Sequence, residues 1–245
     1  MTVHDLYASQ RTAARVAGLA ALVSTALIAF AHYGINFRLM VPGDAAATAR
    51  NILAHEGLFR INIACDVLYG IGNIVLLTAL FALLEPVHRT LAGFAAILRL
   101  VYAITWLVSA SSLYVALRLL HSQAYVHTIP TDQMQTLARL VLGTGFEAYY
   151  IGLPFYALAA TVVGVLLYRS RYIPRALAAI GVVSAAFGVL CAFAFILVPG
   201  FGKAVDPYWY DSALGISEVA ISLWLLIRGI RPTAMAASAP ARGAA

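Results

Sequence analysis

The chain has 245 residues, 62% hydrophobic and only 11% charged, with a mean hydropathy of +0.88. A soluble domain carries about a quarter charged residues, so this composition points to an integral membrane protein with little mass outside the bilayer. The formal charge of +6 is not a nucleic-acid signature, because it comes from arginines at the ends of apolar runs and the only lysine is Lys203.

In chain order, six runs are apolar enough to predict transmembrane helices: 16–37, 57–84, 91–120, 145–168, 174–199 and 212–228. Each meets or approaches the ~20 residues needed to cross. The first follows Arg11 and Arg15 but exceeds the about 7–15 apolar residues of a signal peptide, so it reads as a retained span. Asp44 is a candidate N-cap for a short interfacial helix over 45–55. The second and third runs form a hairpin that reverses near Val87. Thr131 or Asp132 caps a helix through Leu142 that leads into the fourth run. Pro174 suits the first turn of the fifth, whose Gly181, Ser184 and Gly188 suggest a packing helix. The Pro207–Tyr210 segment PYWY reads as an interfacial aromatic anchor.

The expected fold is an all-α bundle of six transmembrane helices with short amphipathic helices on the outer face. Residues 1–231 form one membrane domain and 232–245 a disordered tail. Orientation follows from arginine placement. With the N-terminus inside, Arg11, Arg15, Arg89, Arg169, Arg171, Arg175, Arg228, Arg231 and Arg242 all fall on the cytoplasmic side. The outer ends carry fewer basic residues, offset by Asp44, Glu56, Asp132, Asp206 and Asp211. Both termini are therefore expected in the cytoplasm.

Arg99 is the only formal charge in the run TLAGFAAILRLVYAITWLVSASSLY. A guanidinium keeps its charge, so in hydrocarbon it must find a partner, a wet cavity or the interface. Asp66, in the neighbouring run, is the obvious partner but sits at the wrong depth. Counted from Val87, it lies nine residues further out than Arg99, about 13–14 Å along a helix axis. Glu218 fits better: it lies ten residues before Arg228, and Arg99 lies ten after Arg89. Both are then about 15 Å from the cytoplasmic interface. Arg99 and Glu218 are expected to pair, with Asn73 and Thr25 at similar height.

Helical spacing aligns Gly18, Thr25, His32 and Asn36 on the first span, and Asn62, Asp66, Tyr69 and Asn73 on the second. Arg99, Tyr102, Trp106 and Ser109 align on the third. Asp66, Asn73, Arg99, Tyr102 and Glu218 are thus candidates for an outward-facing polar pocket that binds or transports a small molecule or lipid. His32, Ser109, Glu147 and Tyr150 would form a second layer nearer the outer face. Two other readings stand beside it: a purely structural Arg99–Glu218 pair in an assembly protein, and an intramembrane lipid-modifying enzyme. The enzyme would need three of His32, His55, Asp66, His121 and His127 to converge. No metal-ligand spacing, nucleophile elbow or nucleotide-binding loop is present, and Cys65 and Cys191 read as buried thiols. No cofactor is implied; the expected partners are the lipid bilayer and a small-molecule or lipid ligand.

The segment VPGDAAATARNILAHEGLFR, EPVHR after the second span, the arginine within the third, YRSRYIPRALAAIG and the closing SEVAISLWLLIRG carry a resemblance. Together they resemble an uncharacterised bacterial multi-pass membrane-protein family, domain of unknown function 4386. The resemblance implies a bacterial, multi-pass, single-domain protein and brings no catalytic residues with it; the inner membrane is the expected location.

Overall fold

The computed structural model describes residues 3–121, 129–205 and 207–231. The tail 232–245, His127 and Asp206 lie outside the described residues. Every regular element among those described is helical. The elements are α1 (Val3–Ala29), a π-helical segment (Phe30–Asn36), α2 (Phe37–Leu39), α3 (Ala45–Ala54) and α4 (Glu56–His121). They continue with α5 (Thr131–Ser170), α6 (Arg175–Leu197), α7 (Phe201–Ala204) and α8 (Pro207–Ile227). Among the described residues, four stretches are long and apolar enough to cross a membrane: Ala8–Leu39, Glu56–His121, Thr131–Ser170 and Arg175–Leu197.

The long α4 is two helices joined at His88, whose backbone is extended (φ −165°, ψ 96°). The break falls one residue beyond the reversal expected at Val87. His88 Nδ1 accepts the Leu91 N–H at 3.3 Å, so His88 caps the second arm as it leaves the turn. The expected lead-in helix after Thr131 is not separate: α5 runs unbroken through Leu142 and past Pro154. The α3 helix is capped as expected, with Asp44 Oδ1 accepting the Ala47 N–H at 2.8 Å.

The residues divide into two compact units. Unit 1 comprises Met1–Val23, Gly72–Val101 and Leu153–Ala245. Its core joins Leu83, Leu84, Leu166, Leu167, Tyr172, Ile173 and Ala178, all fully buried or nearly so. Small residues allow its helices to approach closely. Gly18 of α1 lies so near the Ser222 carbonyl and Leu226 of α8 that a side chain there would clash with backbone. Gly188 of α6 faces Leu214 and Ala157, which supports the packing role expected of that helix. The connector before α6 turns at Arg171, which adopts a left-handed conformation (φ 57°), and is tied down by the Arg231 N–H donating to the Tyr172 carbonyl at 3.1 Å.

Unit 2 comprises Ser24–Ile71 and Tyr102–Gly152. Its apolar core joins Ile35, Leu39, Ile52, Phe59, Leu117 and Leu142. Here the two arms of α4 touch where Gly70 packs on Leu107. The π-helical segment is the main departure from regular geometry: the Phe37 N–H reaches the His32 carbonyl five residues back. The widened turn shifts the phase of the residues that follow it; before it, in regular α-helix, Ser24 is buried and Thr25 half-buried.

Candidate functional site

In unit 1 the midpoint of the helices holds a polar centre of four residues. Arg99 is 4% exposed. Its NH2 donates to Glu218 Oε1, forming the expected ion pair. Its Nε donates to Asn73 Oδ1 at 3.2 Å, joining the two arms of the α4 hairpin. Tyr156 of α5 donates its hydroxyl to the other Glu218 oxygen, and its ring lies 5.1 Å from the Arg99 guanidinium carbon. One carboxylate thus receives two donors, and one guanidinium is held by a carboxylate, an amide and an aromatic face. The charges cancel locally, which removes most of the cost of placing them in a low-dielectric interior.

The centre is not sealed on every side. The Glu218 side chain is 21% exposed. Together with Arg99, Ser217 and Ser222 it borders a cavity of about 50 Å³, otherwise walled by aliphatic side chains and glycine. That volume holds one or two waters or an anion of two or three heavy atoms. Ligand pockets for drug-sized molecules run to roughly 300–1,000 Å³, so a lipid does not fit this cavity.

The other sequence candidates belong to unit 2, each in its own setting. Asp66 is 1% exposed, and Tyr102 donates to or accepts from the Tyr69 hydroxyl at 3.1 Å. The His32 ring stands edge-on to Trp106 at 5.5 Å. Trp106 also contacts Tyr69 at 4.7 Å and Tyr149 at 5.6 Å, and Tyr149 stacks at an angle on Tyr150. Ser109 is half-buried beside Gly145, and Glu147 is exposed. The second layer is therefore largely aromatic, with Glu147 outside it.

The remaining histidines are dispersed. His121 Nε2 lies 2.9 Å from Glu56 Oε2, and that carboxylate also pairs with Arg60 at 2.7 Å. His55 Nδ1 lies 3.2 Å from the Asn51 carbonyl. Among the described residues no three His, Cys, Asp or Glu side chains form a group able to hold a metal ion. The convergence required by a histidine-based lipid enzyme is not found among those residues.

Tyr156 and Tyr149 had no place among the sequence candidates. The α5 face marked by Glu147, Tyr150 and Pro154 lies to one side of Tyr156. The available signal was chemical: a tyrosine deep in an apolar helix needs a partner for its hydroxyl.

These features define a helical integral membrane protein with a charged centre inside one of its units. The chain belongs to the family described as Domain of unknown function (DUF4386), whose model matches residues 16–229. No curated protein and no solved structure matches the chain.

Proposed function

We propose that this protein crosses the bacterial inner membrane six times, with both termini in the cytoplasm, and binds a small anion at Arg99. The six crossings rest on length. A straight helix of 66 residues spans about 100 Å, three times the ~30 Å hydrocarbon core, so the break at His88 makes α4 two crossings. The 21 residues of α8 supply a further crossing of about 31 Å. The arginine bias sets the orientation.

The observation that carries the binding reading is that the carboxylate paired with a buried arginine remains partly exposed beside a cavity that both residues border. The guanidinium is held by its own carboxylate, so an anion that enters the cavity binds Arg99 by competing with Glu218 for it. The small cavity selects anions of formate or chloride size.

The test is thermal unfolding of the protein in nanodiscs, titrated with choline formate and choline chloride at constant pH. The expected result is stabilisation by either anion that is lost in Arg99→Met/Glu218→Met. No anion dependence in the wild type would overturn the reading. A second reading, a structural tie between helices, is favoured by the carboxylate, amide and aromatic ring that hold Arg99 from three other helical segments. It predicts a double variant that is folded and unchanged in every anion response.

A further inference from the structure

Unit 2 contains a set of buried polar atoms that its own side chains do not satisfy. Asn62 is fully buried, and neither its Oδ1 nor its Nδ2 has a hydrogen-bond partner among the described residues. Asp66, one turn further along the same face of α4, is 1% exposed, and its Oδ1 likewise has none. Asn36, at the end of the π-helical segment, is 7% exposed with an unpartnered Oδ1.

Two ties bring these residues to the same level. Ile35 and Leu39 belong to one buried cluster with Phe59. Further along, His32 and Tyr69 both contact the Trp106 ring, at 5.5 and 4.7 Å between ring centroids. Asn36 lies between the ties on one helix, and Asn62 and Asp66 lie between them on the other. Three residues with unpartnered oxygens, one of them a carboxylate oxygen, therefore fall within about one helical turn of depth in an apolar interior.

Leaving such groups unsatisfied is costly, and each calls for an occupant. The donor set says which. Carboxylate and carboxamide oxygens are hard ligands suited to alkali and alkaline-earth cations, without the thiolate or imidazole ligands that soft metals prefer. The set carries a single negative charge, so a monovalent ion leaves it neutral, whereas a divalent ion would leave a net charge in low dielectric. A bare proton on Asp66 neutralises the acid and adds a single O–H donor, which cannot satisfy the Asn62 Oδ1, the Asn62 Nδ2 and the Asn36 Oδ1 together. A cation that retains a water satisfies both the acid and Asn62, since the water oxygen also accepts from Asn62 Nδ2. π-Helical turns recur at functional sites because the extra residue frees backbone and re-aims side chains, and this one ends on Asn36.

We propose that Asn36, Asn62 and Asp66 form an intramembrane site for one partly hydrated monovalent cation of sodium size. The probe is sodium itself, with choline replacing it at constant ionic strength, and the readout is thermal unfolding of the full chain in nanodiscs. Raising sodium from zero to about 100 mM is expected to raise the Tm by roughly 5 °C, the response of a site near saturation. Asp66→Asn is expected to abolish that shift, and Asn36→Leu to raise the sodium needed about tenfold or more. Equilibrium binding of radiolabelled sodium to the wild type, saturating at one ion per chain, keeps the proposal testable should Asp66→Asn not fold. An unchanged Tm without saturable binding overturns it, as does a sodium shift that persists in Asp66→Asn. Stabilisation that follows pH and ignores sodium makes Asp66 a proton site only, and overturns the cation assignment.

Discussion

Two buried polar centres, one in each unit, are satisfied in opposite ways. In unit 1, Arg99, Asn73, Glu218 and Tyr156 satisfy one another, and opposite charges cancel within the set. In unit 2, Asn36, Asn62 and Asp66 are equally buried but have oxygens that no described side chain or backbone group reaches. A closed network stabilises its helices without help. An open one ties stability to whatever fills it. The same membrane protein can thus hold one centre that opens only by exchanging its internal counter-ion, and another whose occupancy depends on the surrounding solution.

The largest effect expected from breaking this contrast is in unit 1. Glu218→Leu leaves a buried guanidinium without its carboxylate, and should destabilise the protein by about 3–5 kcal/mol, measured by thermal or denaturant unfolding in nanodiscs. Arg99→Met/Glu218→Met should recover most of that loss, because replacing both partners removes the desolvation cost together with the attraction. A double variant as unstable as the single would show that the charges are not energetically paired. Tyr156→Phe should cost a smaller amount, about 1.5–3 kcal/mol, by removing one donor to a charged acceptor. Gly18→Ala should cost about 1–3 kcal/mol through overpacking against the Ser222 carbonyl, without altering any anion or sodium response. In unit 2 the smallest effect is expected: Asn62→Leu in sodium-free buffer should be close to neutral or slightly stabilising, since it removes unsatisfied polar atoms. A large loss there would show that Asn62 already has a satisfied role.

Much of unit 1 was legible in the sequence. Residue counts from the helix ends placed Arg99 level with Glu218 and away from Asp66, because the 1.5 Å rise of a helix converts sequence number into depth. The reversal near Val87 followed from the charged, proline-containing break between two apolar runs, and the extended residue is His88. Tyr156 was not legible, since the polar face of α5 was traced through Glu147 and Tyr150, and the structure leaves Glu147 exposed. The π-helical segment was not legible either. Its backbone phase differs from the 3.6-residue period used to align Thr25 with His32, and the inward position near that level is Ser24. The Asn62–Asp66 face was visible as an i, i+4 pair, but its lack of partners is a property of packing that no spacing encodes.

Hydrogen–deuterium exchange of the full chain in nanodiscs, compared with and without sodium at constant ionic strength, tests the contrast between the units most directly. The account predicts that sodium slows exchange in peptides covering 30–36 and 56–71 and leaves those covering 92–101 and 211–227 unchanged. Equal protection in both sets, or protection confined to the Arg99 and Glu218 peptides, would contradict it.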